Sequence, residues 1–135
     1  MTEGEGTLRY STTVTKIGQL VEDFAAKGML ILFADGAPEE LHDFCVLHSA
    51  QVTVGGIRPG DVLQVGDVTM SILAVGQVAE ANLAALGHVS FKATGAAEAQ
   101  LPGDICLEQA VLPPLQIGTR IHIVAGAQAQ TERTS

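Results

Sequence analysis

Three segments of this 135-residue chain open in the same way. Pro59-Gly60-Asp61-Val62-Leu63, Pro102-Gly103-Asp104-Ile105-Cys106 and Ile117-Gly118-Thr119-Arg120-Ile121 each put a turn glycine ahead of a polar residue that launches an apolar run. Glycine reaches backbone conformations that other residues avoid, so each segment reads as a corner from which a strand departs. Beyond Cys45 the sequence predicts short strands over Val46–Val54, Val62–Val65, Val68–Val75, His88–Ala93, Ile105–Leu107 and Thr119–Ala125, nearly all separated by glycine or proline. Many short strands turned at glycines argue for a small barrel or folded sheet and against a solenoid.

The first third is more varied. Leu8, Tyr10, Thr12 and Val14 alternate with polar or small neighbours, the period of a half-buried strand. From Thr15 the period changes: Ile17, Leu20, Val21, Phe24 and Ala25 share one helical face, which predicts a helix over Ile17–Ala26 closed by Gly28. Met29–Phe33 is a continuous apolar run, read as a central strand stopped by Asp35-Gly36-Ala37-Pro38. Pro38, Glu39 and Glu40 suit a single helical turn reaching Asp43, and Val78–Leu86 before Gly87 suits a short helix. The expected fold is mainly β, small and barrel-like, with two or three short helices. One domain spans 8–125, between flexible tails at 1–7 and 126–135.

A hydrophobic share of 47% suffices for a core, but 4% aromatic and no Trp leave few rings for stacking bases. The net charge of −8 repels phosphate backbones and anionic lipid, and favours a basic or neutral protein partner. Met1–Gly6 has neither a basic nor an apolar region of a secretory signal, and no apolar run approaches the roughly 18 residues that cross a bilayer. The expected location is the cytoplasm, where Cys45 and Cys106 stay buried thiols.

No phosphate-binding glycine loop and no serine-hydrolase elbow is present. Chemistry concentrates in Leu41-His42-Asp43-Phe44-Cys45-Val46-Leu47-His48-Ser49. His42-x-x-Cys45-x-x-His48 offers ligands to a metal, with His88 or His122 to complete a tetrahedron, although structural zinc sites usually add a second short-spaced cluster. Cys45 with an adjacent imidazole offers a thiolate nucleophile, against which its apolar neighbours argue. His48 alone offers a nitrogen nucleophile, against the plainer reading of a histidine that merely satisfies its surroundings.

Thr15-Lys16-Ile17-Gly18, Met29-Leu30-Ile31-Leu32-Phe33 with Gly36-Ala37-Pro38, and Cys45-x-x-His48 together resemble the glucitol/sorbitol-specific enzyme IIA component of the bacterial phosphotransferase system. Ala74-Val75-Gly76-x-Val78-Ala79-Glu80-x-Asn82-Leu83-x-x-Leu86-Gly87-His88-Val89 is similar to the same family, and the resemblance runs from about Tyr10 to Val124. It implies a bent, partly self-folded sheet with Gly60 and Gly118 at corners. It also implies that His48 takes a phosphoryl group from the carrier HPr and passes it to a cysteine of the IIB component, which works with IIC on glucitol/sorbitol. The resemblance thus implies a phosphotransferase component with a phosphohistidine intermediate, and no cofactor or metal is expected. Ser49 and Ala50 stand where a second histidine can follow in that family.

Phosphoryl transfer needs positioning and charge stabilisation more than acid or base work. Ser49, Thr53 and the backbone at Gly55-Gly56 are the expected donors to phosphoryl oxygens, and His88 is the expected helper of His48. Glu39, Glu40 and Asp43 should sit behind or beside the ring, where one would hold the second ring nitrogen's proton, against the plainer reading of Asp43 as a solvated surface carboxylate, while His42 and His122 are left on the surface or a strand face. Phe44, Val46 and Leu47 are expected to form the apolar centre of the partner surface. A noncatalytic β-barrel binding module, or a metal-binding one, is the alternative.

Overall fold

The computed structural model describes residues 7–126. The remaining residues of the two expected tails lie outside the described ones. Thr7 and Gly126 belong to the fold: the Thr7 carbonyl accepts from Ala125 N–H at 2.9 Å, and Gly126 N–H donates to Asp61 at 3.4 Å.

Strands β1 (Leu8–Ile17), β2 (Met29–Ala34), β3 (Val46–Thr53), β4 (Val62–Val65), β5 (Val68–Val75), β6 (Val89–Lys92), β7 (Asp104–Leu107) and β8 (Arg120–Val124) form a closed barrel in the order β1-β3-β2-β6-β7-β5-β4-β8. Helix α1 (Val21–Ala26) precedes β2 and α2 (Ala79–Leu86) precedes β6, with a 3₁₀ turn at Glu39–Leu41. The mainly β, barrel-like architecture is the one expected. Only β2 with β3 and β6 with β7 run parallel, and a loop makes each of these crossings. Gly60 and Gly118 take positive φ at corners, whereas Gly103 does not.

Inward residues fill the barrel: Tyr10 and Val14 from β1, Leu30 and Leu32 from β2, Val46 from β3, Phe91 from β6, Ile121 and Ile123 from β8. A second, smaller cluster of Ala37, Cys45 and Leu47 forms on the other side of β3, joined by Phe33, Leu41 and Phe44. The outer cluster seats the segment between β2 and β3.

The helix expected over Ile17–Ala26 is shorter, because β1 continues through Ile17, which pairs with Val46. Gly18 N–H then donates to the Cys45 carbonyl at 3.1 Å, and a Cβ on Gly18 would lie 2.1 Å from the His42 carbonyl oxygen. That close strand-to-loop crossing fixes the chain as extended where periodicity alone favoured a helix.

Candidate functional site

Strand periodicity divides the histidine-cysteine segment. Val46 and His48 point into the barrel, while Cys45 and Leu47 lie in the outer cluster. Cys45 and His48, three residues apart, therefore face opposite sides of β3. Burial pushes the Cys45 thiol above its ordinary range, the direction of an inert side chain. His42 turns away as well, its Nε2–H donating to the Ala37 carbonyl at 2.9 Å. The three sequence-spaced ligands thus do not converge, and neither the His42-Cys45-His48 metal site nor the Cys45-imidazole pair is assembled.

His48 is 1% exposed and bonded at both ring nitrogens. Nδ1 lies 2.7 Å from Thr12 Oγ1, itself buried on β1, and Nε2 lies 2.7 Å from the Gly87 carbonyl oxygen. The Thr12 hydroxyl is also 2.9 Å from the Ser49 carbonyl. Tyr10 packs edge-on against the ring with centroids 6.4 Å apart, and its hydroxyl donates to Gln51 at 2.6 Å. Burial pushes the tyrosine hydroxyl's pKa upward.

Burial also lowers the His48 pKa, opposed by the bond to Gly87 and by the negative charge of Asp35. The ring is therefore held toward its neutral, nucleophilic form. Asp35 reaches this position through the parallel register that pairs Ala34 with His48, its own N–H donating to the His48 carbonyl at 3.1 Å.

Gly87 ends α2 with φ of 65°, and a Cβ there would come 2.9 Å from both His48 Cε1 and Ala34 Cβ. Glycine is needed twice at this point, for the left-handed turn and for contact with the ring. The other end of α2 is tied by Glu80, whose carboxylate accepts from Gly56 N–H at 3.0 Å and Ile57 N–H at 2.8 Å. Gly55 N–H is likewise bonded, to the Arg9 carbonyl. The Gly55-Gly56 backbone expected to face phosphoryl oxygens is thus already engaged.

Other expectations change similarly. Glu39, Glu40 and Asp43 are exposed, and the groups on the His48 ring nitrogens are Thr12 and Gly87. His88 follows Gly87 but faces β2: its Nδ1–H donates to the Leu32 carbonyl at 3.0 Å and its ring stacks on Phe33 with centroids 4.6 Å apart. His122 lies on β8, with Nδ1 3.2 Å from Ser11 Oγ. Val46 and Leu47 are buried and Phe44 is half-buried, so among the described residues the large exposed apolar side chains of β3, its following loop and α2 are Val52, Val54 and Leu86. Sequence reasoning missed Thr12. Its signal was the alternation of Tyr10, Thr12 and Val14, which set a hydroxyl among core positions.

A family model described as the PTS system glucitol/sorbitol-specific IIA component matches residues 9–122. The chain belongs to the glucitol/sorbitol-specific IIA family. The PTS glucitol/sorbitol-specific EIIA components of Shigella flexneri and Escherichia coli (strain K12) are each 39% identical to it over 99 residues, covering 73% of this chain and 80% of theirs. The crystal structure of a PTS system IIA component from Enterococcus faecalis V583 is similar with a TM-score of 0.71 at 30% identity, covering 85% of this chain and 99% of that one. Family membership supports a phosphocarrier role in the phosphotransferase system. Among the described residues no helix is long and apolar enough to cross a membrane.

Proposed function

We propose that this IIA component works in the cytoplasm, takes a phosphoryl group from phospho-HPr onto His48 and passes it to a IIB cysteine, for uptake of glucitol/sorbitol through IIC. The observation that carries the reading is a buried imidazole inside a IIA-family barrel, held toward its neutral form and clamped at both nitrogens. Neutral imidazole is nucleophilic near pH 7, and the N–P bond it forms remains reactive enough to pass the group on. In-line transfer through a loose transition state asks mainly that donor and acceptor rings face each other.

The reading requires the Gly87 carbonyl to move aside, since it belongs to the turn after α2, whereas Thr12 and Ser49 lie on strands paired within the barrel. Displacing Gly87 uncovers Nε2 and leaves Nδ1 on Thr12. His88 assists through position: its stacking on Phe33 and its bond to Leu32 hold the residue next to Gly87. The charge of −8 speeds encounter with a basic face of HPr at low salt.

Incubation with phosphoenolpyruvate, enzyme I and HPr tests the reading. The parent chain takes label that is stable in base and lost in acid, because protonating the free ring nitrogen makes imidazole a better leaving group. Label on Ser49, or on the chain after His48→Gln, contradicts it.

A further inference from the structure

The Thr12 hydroxyl has one proton and two acceptors within reach. Ser49 offers a carbonyl at 2.9 Å, which can only accept, while Nδ1 of His48 at 2.7 Å accepts or donates according to its own protonation. The Gly87 carbonyl can only accept, so while it faces Nε2 at 2.7 Å that nitrogen carries a proton. A neutral ring in the closed site therefore has Nε2–H, and the hydroxyl donates to Nδ1. When Nε2 becomes the nucleophile, its lone pair must be free and the proton must sit on Nδ1. Thr12 then accepts from Nδ1–H and turns its own hydrogen to Ser49.

We propose that Thr12 is the positioning residue of the transfer, a hydroxyl that turns from Nδ1 to the Ser49 carbonyl and so holds His48 with Nδ1 protonated and Nε2 free to react. This rests on the phosphocarrier reading and adds to it the residue that directs the ring. In the step, the Nε2 lone pair forms the new bond to phosphorus, and the donor's N–P bond breaks with its electron pair returning to the donor imidazole. Before the step, once Gly87 no longer faces Nε2, that nitrogen gives its proton to solvent and Nδ1 takes one up; during the transfer itself no further proton leaves the His48 ring. Its Nδ1–H persists in the phosphorylated product, where the ring carries positive charge and Thr12 Oγ1 accepts a charge-assisted bond. The same bond keeps the ring a good leaving group for onward transfer. Tyr10, two residues along the same face of β1, and Asp35, beyond the end of β2, are the titratable groups packed nearest the ring.

Thr12→Val removes the hydroxyl at nearly constant shape, and Thr12→Ser restores it. In the phosphorylated chain, Thr12→Val should lower the pH at which Nδ1 titrates, followed by ³¹P resonance, and slow label transfer to IIB by roughly ten- to a hundredfold, the worth of one hydrogen bond to a charged group. Thr12→Ser should return both toward the parent. A merely structural threonine would alter stability and leave the titration of the folded phosphoprotein where it was. Should Thr12→Val not fold, ¹⁵N–³¹P coupling in the parent decides: coupling to Nε2 together with a hydrogen-bonded Nδ1–H at neutral pH is expected, and coupling to Nδ1 overturns the inference. Parent-like titration and transfer in Thr12→Val overturn it as well. A parent chain that takes no label removes the phosphocarrier reading itself and this inference with it.

Discussion

The barrel contains two kinds of buried polar group. Asp61 and Asp104, 1% and 2% exposed, are met by partners of fixed sign: Asp61 by the Arg9 guanidinium and the N–H groups of Arg58 and Gly126, Asp104 by the Lys92 ammonium and Leu101 N–H. Each of those partners can only donate, so the carboxylate oxygens serve as acceptors throughout. His48 is as buried, yet one of its two partners is a hydroxyl that donates or accepts with equal ease. Partners that only donate hold a group in one role. A hydroxyl can follow a ring nitrogen that gains or loses a proton, which is what the proposed function asks of the group beside His48.

Substitutions sharpen that contrast from both sides. His48→Gln should abolish phosphoryl labelling while circular dichroism still reports the parent fold. Retention of both label and fold would place the chemistry elsewhere. Asp61→Ala should do the reverse: it leaves Arg9 and two N–H groups without their acceptor, costs about 3 kcal/mol in urea unfolding, and leaves the labelling of each folded molecule intact.

Gly87→Ala lies between these. A side chain at positive φ costs about 1–2 kcal/mol, and its methyl group would press on the imidazole, so labelling should slow by roughly tenfold with little change in the spectrum. His88→Gln should slow it less, since the backbone turn survives. A rate unchanged by either would mean that the turn after α2 does not hold the ring.

The pH effect is smaller, and its sign follows from burial. Folding lowers the His48 pKa below the unfolded value near 6.5, so the unfolded chain binds the proton first as pH falls. This group's contribution to stability is therefore undiminished above about pH 7 and declines from about 6.5 down to the folded pKa. The parent should lose more stability than His48→Gln across that window in paired urea titrations. His122, also lowered by burial and by Arg120, keeps its own acid dependence in both proteins. Least affected should be His42→Gln and His122→Gln, which still label, since neither ring touches His48 or its two partners.

The strand and corner pattern was legible in the sequence because alternation and glycine are local signals, and the family was legible by resemblance. Ile17 was misread because its helical spacing is local, whereas its pairing with Val46 is not. The partners of His48 were sought among Glu39, Glu40 and Asp43, its neighbours in sequence. They come instead from Thr12 and Gly87, 36 and 39 residues away, which non-local strand pairing along β1-β3-β2-β6 brings to the ring. Asp35 escaped for the same reason, since its approach depends on the parallel register between β2 and β3.

Closure of the ladder also limits how another protein can take hold. In an open sheet the outermost strand leaves a row of backbone N–H and C=O groups free, and a visiting peptide can add itself as a further strand. In this barrel β1 is bonded on one side to β3 and on the other to β8, so the circle has no outermost strand. A protein partner must therefore grip side chains and loops rather than add a strand. Such contacts form and dissolve without remaking a sheet, which suits the proposed transfer between two partners met in turn.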